Sequence, residues 1–333
     1  MRFRTELNLP QSPANISHQD SSILMGSCFT THIGRLLSRF KFKTLVNPYG
    51  TIYHPKPLFH QLKETIGKSD INSDQVIQVD DRYLHFEYHS DCWGHSIESL
   101  MANINQRREK LRSFLENTNL IFFTLGSAFH YVRSSNGTVV ANCHKQPASL
   151  FKRRLSPIEE IAETLVQLIE LISNSYSDIR IIFTVSPVRH LNDGLIQNTR
   201  SKAHLIAAVQ EVCTSFGHVS YFPAYEIMMD DLRDYRFYNA DLIHPNDMAI
   251  DYIWNHFKSM YFSVDTDQII NQIMKFEKTI NHRAFNPESE AHQATLIKLR
   301  KRILEFQAQH QISFEHELES IQRTIISNDS IEP

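Results

Sequence analysis

Residues 22–29 read Ser-Ile-Leu-Met-Gly-Ser-Cys-Phe, and this stretch decides the fold of the chain. Its apolar run ends at Gly26, and an amphipathic stretch follows, with one face formed by Phe29, Ile33, Leu36, Leu37 and Phe40. The pattern predicts a strand, a tight turn and a helix. Ser27 is placed at the turn where the helix begins.

A second short motif, Asp241-Leu242-Ile243-His244, comes late in the chain, just before Pro245 and another helical run. Together the two motifs supply the parts of a hydroxyl nucleophile system. An imidazole accepts the serine proton, a carboxylate orients the imidazole, and N–H groups meet the developing oxyanion. Ser27, Asp241 and His244 are therefore the predicted catalytic residues. A structural interpretation stays open, because serine is a common N-cap and Gly-Ser a common turn.

Apolar runs predict five strands, at about 22–25, 41–46, 119–125, 179–185 and 218–222. Helical patterns separate them, among them 156–173, which begins with an S-x-x-E capping box, and 199–216. The alternation predicts a three-layer α/β/α sandwich with a parallel sheet of about five strands, in the order 2-1-3-4-5. The segment 76–90 predicts an inserted pair of short strands.

The composition changes after about residue 263, where proline and aromatic residues thin out. Apolar stripes predict helices over 265–281 and 288–327. We therefore expect an α/β catalytic domain over 1–262 and a helical C-terminal extension over 263–333. These helices would pack on the core or form a homo-oligomer with a second copy, and a lid over the site is the alternative.

Bulk composition excludes several classes of protein. A hydrophobic content of 41% supports a packed core, and a net charge of −3 with scattered Lys and Arg gives no nucleic-acid surface. No apolar stretch is long enough for a membrane span. Met1–Pro10 carries charges and lacks the apolar segment of a secretory signal, so a cytoplasmic location is expected.

Neither a metal nor a cofactor is expected. The four cysteines have no C-x-x-C spacing, the 18 histidines form no convincing ligand group, and no Gly-rich phosphate loop occurs. The cysteines are expected to be free thiols. Cys28, next to Ser27, is the alternative nucleophile.

The segment 26–30, Gly-Ser-Cys-Phe-Thr, resembles the signature of the GSCFA family, whose usual last residue is Ala. Further resemblances to that family's blocks lie at 47–51, 123–127, 142–145, 185–190, 201–203, 221–226 and 241–245. They cover roughly residues 20–262. The family is grouped with the SGNH, or GDSL-like, hydrolases, and the resemblance implies their flavodoxin-like sandwich.

The resemblance also implies roles for individual residues. It makes Ser27 the nucleophile and Asp241 and His244 its partners, with the Ser27 N–H and Gly50 as oxyanion donors. The third block departs from the pattern, since Ala128 stands where those hydrolases have an asparagine. Ser127, a backbone N–H or Asn142 from the following loop is then expected to substitute. Losing one such donor costs about 10²–10³ in rate in a well-studied protease.

Polar residues near the predicted strand ends are the candidates for substrate binding, with structural hydrogen bonding as the alternative. They are His144, Lys145, Arg189, His190, Asn198 and Lys202. The leading expectation is a serine esterase or deacetylase acting on acyl esters of a small molecule or carbohydrate. An acyltransferase of the same fold, or a non-catalytic carbohydrate or small-molecule binding module, are the alternatives.

Overall fold

The computed structural model describes residues 5–12 and 15–329, with side chains described through residue 325. The remaining residues of the predicted extension, 330–333, lie outside the described part. The strands are β1 (Ser21–Gly26), β2 (Lys43–Val46), β3 (Val76–Val79), β4 (Arg82–His85), β5 (Trp93–Gly94), β6 (Leu120–Leu125), β7 (Phe129–Arg133), β8 (Val139–Val140), β9 (Phe151–Leu155), β10 (Arg180–Val185) and β11 (Val219–Phe222). The helices are α1 (Cys28–Arg39), α2 (Pro55–Gly67), α3 (Ile97–Leu115), α4 (Ile158–Ser175), α5 (Gly194–Ser215), α6 (Ala224–Glu226), α7 (Asp247–Tyr261), α8 (Val264–Ile280), α9 (Glu290–His310) and α10 (Glu315–Asp329).

Five strands form the central sheet, in the order β11-β10-β6-β1-β2. Every neighbouring pair in it is parallel. Numbered along the chain, this is the predicted order 2-1-3-4-5, so the predicted sheet is confirmed. Because parallel strands end at one edge, the turns after β1, β6, β10 and β11 lie together there.

Successive side chains along each strand point to opposite faces of the sheet, so they pack in two separate cores. Ile23, Phe123 and Phe183 point to the layer that contains α2, α3, α4 and α5. Leu24, Phe122 and Ile182 point to the layer that contains α1 and α7. Both faces are therefore covered, which is the predicted three-layer sandwich and explains why these strands are apolar throughout.

The helices after residue 263 pack in the second of these cores. Ile270, Ile273 and Ile303 are fully buried, in the same cluster as α1 and α7 residues. The predicted helix over 288–327 is two helices, since Gln311 adopts a left-handed φ of 56° and ends α9. Whether residue 262 separates two domains stays a prediction, and so does association of two copies through these helices.

Two small antiparallel sheets are added to this core. The predicted pair of strands over 76–90 is part of a three-stranded sheet, β3-β4-β5. A second sheet, β8-β7-β9, follows the end of β6 and was not predicted. The predicted capping box of α4 is wrong, because Pro157 is the N-cap and the Ser156 hydroxyl instead contacts His130 and Glu160.

None of the helices within residues 5–12 and 15–329 combines the length and apolar character needed to cross a bilayer.

Candidate active site

Ser27 lies in the sharp turn between β1 and α1, as predicted. Gly26 has a φ of +137°, and a Cβ there would lie 2.2 Å from the Thr124 carbonyl oxygen, so only glycine fits. Ser27 is the N-cap of α1, yet its side chain caps no helix N–H. Its hydroxyl is fully buried and has no hydrogen-bond partner within the described chain. The turn therefore holds the Ser27 hydroxyl at the edge of the sheet, where it makes no hydrogen bond within the described chain.

Contacts from the neighbouring strand ends fix the turn formed by Gly26 and Ser27, which is called the elbow below. The Asn47 side-chain oxygen accepts from the Gly26 N–H at 2.9 Å, and the Gly26 carbonyl accepts from Ile52 N–H at 2.9 Å. A Cβ on Gly126 would lie 3.2 Å from the Ser27 Cβ and 2.7 Å from the Tyr53 ring. The turns after β1, β2 and β6 therefore meet around Ser27.

Asp241 and His244 form a hydrogen-bonded pair in the loop before α7. Asp241 Oδ2 lies 2.7 Å from His244 Nδ1, while Oδ1 accepts from the N–H groups of Ile243 at 2.9 Å and His244 at 3.0 Å. The left-handed Leu242, with φ 58°, lets the chain turn back for these contacts. The main-chain donors and His244 lower the pKa of Asp241 to about 2, so the carboxylate stays ionised.

The hydroxyl of Ser27 and the imidazole of His244 are at the same sheet edge but are not hydrogen-bonded in this structure. Tyr53, which touches Gly126 beside Ser27, packs edge-on against His190 with ring centroids 5.0 Å apart. The pKa of His190 is lowered mainly by burial. The positive charge of Lys202 and then that of His244 lower it further. Tyr53 is thus near Ser27, and His190 is near both Tyr53 and His244.

Two of the four predicted oxyanion donors, both main-chain N–H groups, are engaged elsewhere. The Ser27 N–H donates to Thr124 O at 2.9 Å, and the Gly50 N–H donates to Asn47 O at 2.8 Å. Gly50 faces His89, whose side-chain atoms would lie 2.4–2.8 Å from a Cβ. Each N–H has one hydrogen, so either role requires that bond to be shared or broken.

The two predicted side-chain substitutes for the missing asparagine take part in local contacts. The Ser127 hydroxyl accepts from Phe129 N–H at 3.0 Å. Asn142 accepts from His144 N–H at 2.8 Å and donates to the Ser90 hydroxyl at 3.4 Å. Both side chains stabilise the turns that carry them. A hydroxyl that accepts can still donate and an amide carries two hydrogens, so these contacts leave donor capacity on both side chains.

Three of the predicted substrate-binding residues are buried structural groups. His144 is 4% exposed and lies between His85 O, at 2.9 Å from Nε2, and Ser90 Oγ, at 3.1 Å from Nδ1. The Asn198 side chain accepts from the His190 N–H at 2.9 Å and holds the loop after β10. Lys202 is 1% exposed. These contacts favour the alternative role, structural hydrogen bonding, for His144, Asn198 and Lys202, and direct contact of these residues with substrate stays a prediction.

Lys202 is a buried cation without a carboxylate partner in the described chain. Its ammonium donates to Gly126 O and Ser186 O, both at 2.7 Å, and so ties together the ends of β6 and β10. Burial lowers its pKa to about 7, while Cys28 raises it. It therefore lies beneath the elbow as a support rather than in the cleft.

The remaining candidates are accessible to different degrees. Lys145 is exposed, with a left-handed φ of 57°. Burial lowers the pKa of the half-buried His190 to about 3, and its Nε2 has no partner within the described residues. Arg189 is half-buried, and its N–H donates to Ile243 O at 3.3 Å, next to the Asp241–His244 pair.

Cys28 is a free, half-buried thiol at the first position of α1. Burial raises its pKa, against a smaller opposing effect of Lys202. Since the thiolate is the nucleophilic form, this environment disfavours Cys28 as the attacking group.

Residues that sequence reasoning did not assign also shape the site. Tyr53, Phe129, Tyr131 and Arg153 line a cavity of about 280 Å³ beside the elbow, together with the predicted His190. A cavity of about 930 Å³ between β2 and α3 contains none of the three predicted catalytic residues. Among the described residues, no group of three His, Cys, Asp or Glu could hold a metal ion.

Comparison with known families assigns both parts of the chain. Residues 21–257 match the GSCFA family, and residues 273–327 match the C-terminal domain of GSCFA domain proteins. The chain belongs to the GSCFA family. A comparison with curated proteins gave no match.

Solved structures similar to this GSCFA protein include two carbohydrate esterases. A family 3 carbohydrate esterase from Talaromyces cellulolyticus is 7% identical, with 77% of this chain and 99% of that chain covered and a TM-score of 0.36. The Clostridium thermocellum family 3 carbohydrate esterase is 13% identical, with 77% and 98% covered and a TM-score of 0.34. Similarity at this level carries no inference about activity.

Proposed function

We propose that this GSCFA protein is a serine esterase or deacetylase that hydrolyses acyl esters, including esters of carbohydrates. One observation carries the proposal. An ionised Asp241 already holds the His244 imidazole, at the same sheet edge where the buried Ser27 hydroxyl has no partner in the described chain. A structural serine at a helix start would normally cap the helix, and Ser27 does not.

In the proposed reaction the Ser27 hydroxyl attacks the acyl carbonyl while His244 Nε2 takes its proton. The imidazolium that forms is stabilised by Asp241, whose carboxylate contacts Nδ1. His244 then gives the proton to the leaving alcohol. Water attacks the acyl-enzyme in the second half, with His244 again as base, and the carboxylic acid and free Ser27 result. The hydrogen bond between Ser27 and His244 would form when substrate binds, because catalytic hydrogen bonds are often long or absent in enzymes without substrate.

The start of α1 is the proposed source of oxyanion stabilisation. The N–H groups of Cys28 and Phe29 donate to no main-chain acceptor within the described residues, and both face the Cys28 thiol, on whose pKa they have a lowering effect that burial outweighs. Helix-start N–H groups and the helix dipole favour negative charge. These groups would replace the engaged donors that the sequence predicts.

A non-catalytic binding module is the second candidate. It is favoured by the missing hydrogen bond between Ser27 and His244 and by the engagement of the Ser27 and Gly50 N–H groups, two of the four predicted oxyanion donors. An acyltransferase would use the same three residues with an alcohol in place of water, and no observation favours it over hydrolysis. A cytoplasmic location remains part of the proposal.

Labelling with a fluorophosphonate probe tests the proposal directly. Wild type should be labelled, Ser27→Ala should not, and Cys28→Ala should be labelled like wild type. Equal labelling of Ser27→Ala, or none in wild type together with binding of carbohydrate, would favour the binding module. Turnover of an acetyl ester in the presence of a sugar alcohol then separates hydrolysis from transfer by the ratio of acetate to acetylated sugar.

A further inference from the structure

Arg189 and Arg233 line a small cavity beside the Asp241–His244 loop. The cavity has a volume of about 190 Å³, and Tyr235 and Tyr238 form its aromatic walls. Buried Met228 and Leu232 form apolar walls. Apolar walls of this kind strengthen the field of a nearby charge.

The Arg189 guanidinium lies close to two phenol rings. Its central carbon is 4.3 Å from the centroid of Tyr238 and 5.1 Å from that of Tyr235, and the two ring centroids are 5.8 Å apart. Burial raises the pKa of Tyr238, and a side-chain hydrogen bond with Arg189 opposes that rise. A guanidinium carries five N–H donors, so one phenol leaves most of them for another acceptor. Within the described chain, neither Arg189 nor Arg233 makes an ion pair.

The acidic groups nearby are directed elsewhere. Asp234, which also lines the cavity, pairs with Arg236 at 2.9 Å. Glu226 accepts from the Tyr221 hydroxyl at 2.9 and 2.8 Å, and Asp230 affects the neighbouring Tyr225. The hydroxyl of Tyr238 is buried, and Arg189 is the side chain that contacts it. The cavity therefore presents two cations, Arg189 and Arg233, to whatever enters it.

The cavity shares its walls with the proposed catalytic loop. Arg189 N–H donates to Ile243 O, Asn239 N–H donates to His244 O at 2.8 Å, and Tyr238 forms an isolated bridge with Pro245. A group bound in this cavity would therefore lie next to the loop that carries His244. The same loop contacts the cavity walls and holds the imidazole.

We propose that this cavity binds an anionic group of the ester substrate, a carboxylate, sulfate or phosphate carried by the sugar. Arg189 would contact two of its oxygens with the guanidinium edge, which matches planar and tetrahedral oxyanions in a bidentate way. Arg233 and the Tyr238 hydroxyl supply further donors. The substrate would then be an acylated acidic carbohydrate rather than a neutral one. This inference rests on the proposed function only for its orientation toward His244.

The test compares two esters that differ only in charge, a mono-O-acetylated methyl glucuronide and the methyl glucoside acetylated at the same position. In wild type the glucuronide should have a kcat/KM at least about tenfold higher, as one charged hydrogen-bonded contact supplies. In Arg189→Gln the ratio should fall to about one. Arg82→Gln is the matched control, because Arg82 also stacks on an aromatic ring, Trp93, at 4.7 Å, and lies in β4. It should leave the ratio unchanged.

Direct binding separates this inference from the proposed function. Calorimetric titration of full-length protein with methyl glucuronide, inorganic sulfate and inorganic phosphate should give heats that Arg189→Gln abolishes, and the arms rank carboxylate, sulfate and phosphate. Should Arg189→Gln fail to fold, the exposed Arg233→Gln should weaken binding several-fold. Binding without ester turnover would support the cavity and remove the esterase. Equal turnover of both esters by wild type, with no anion binding, would overturn the inference and leave the esterase.

Discussion

The two halves of the proposed triad are built in opposite ways. The Asp241–His244 half is local and exposed, because three hydrogen bonds within four residues hold it and both side chains remain 40–45% exposed. The Ser27 half is buried and nonlocal, since the turns after β1, β2 and β6 all contribute to it. A local half tolerates change elsewhere in the fold, whereas the Ser27 half depends on the whole sheet edge. Substitutions should therefore separate chemistry in the loop from geometry at the elbow.

Removing Ser27 or His244 should have the largest effect. Each Ala variant should lose about 10⁴-fold or more in kcat for a short acyl ester, because either one is indispensable to the nucleophile system. Circular dichroism and urea unfolding should show an intact fold. Cys28→Ala should keep near-normal activity. Activity that survives in Ser27→Ala and is lost in Cys28→Ala would move the nucleophile to the thiol.

Replacing Asp241 should cost less than replacing Ser27, because the imidazole remains. We expect Asp241→Asn to lower kcat by about 10²–10⁴-fold. Since its pKa is lowered to about 2, Asp241 stays ionised down to about pH 3, and it contributes nothing to an acid limb of kcat/KM above that. The matched control is Asp247→Asn, whose 95% exposed side chain begins α7. A wild-type acid limb that Asp241→Asn abolishes would contradict this assignment.

The sequence predicted what depends on local pattern. Apolar runs predicted the five strands, and the alternation of strands and helices predicted their order. The short spacing between Asp241 and His244 predicted that these two side chains meet. The donors at Gly50 and Asn142 were not predictable in the same way. The Gly50 N–H is taken by Asn47, whose left-handed φ of 41° folds its carbonyl back, and Asn142 is anchored by contacts with His144 and Ser90. The Gly50 bond closes the turn after β2, and the Asn142 contacts join the loop after β8 to the loop after β4, so neither depends on a periodic pattern in the sequence.

Lys202 illustrates the same limit in a single residue. A lysine near a strand end is a reasonable ligand for substrate, and sequence gives no sign that it is 1% exposed. Lys202 is buried because α5 carries it to the ends of β6 and β10, where Gly126 O and Ser186 O accept hydrogen bonds from its ammonium. Long-range packing, rather than residue type, decides its role.

Adding one methyl group at the elbow should have an intermediate effect. In Gly126→Ala the new Cβ would lie 2.7 Å from the Tyr53 ring and 3.2 Å from the Ser27 Cβ, so one of them must move. Displacements of about 1 Å at a catalytic group cost up to about 10²-fold, and we expect a fall in kcat of that order. Gly217→Ala is the control, since nothing lies within 4 Å of a Cβ there. Unchanged kcat in Gly126→Ala would show that Tyr53 yields without moving Ser27.

The smallest effect should come from the support beneath the elbow, and it should appear as a pH dependence of stability. The pKa of Lys202 is lowered to about 7 in the folded protein, against an ordinary value of 10.5, with burial as the main cause and Cys28 opposing it. Between these values the unfolded chain binds more protons, so the contribution of Lys202 to the unfolding free energy rises with pH from about 7 upward. Lys202→Met should lose that rise. Urea unfolding at pH 7.5 and 8.5 would measure it as the difference between wild type and variant, which cancels the titration of other groups. The exposed Lys145→Met should follow wild type. Parallel curves for wild type and Lys202→Met would mean that Lys202 keeps its proton over this pH range in the folded protein, which would contradict the lowered pKa.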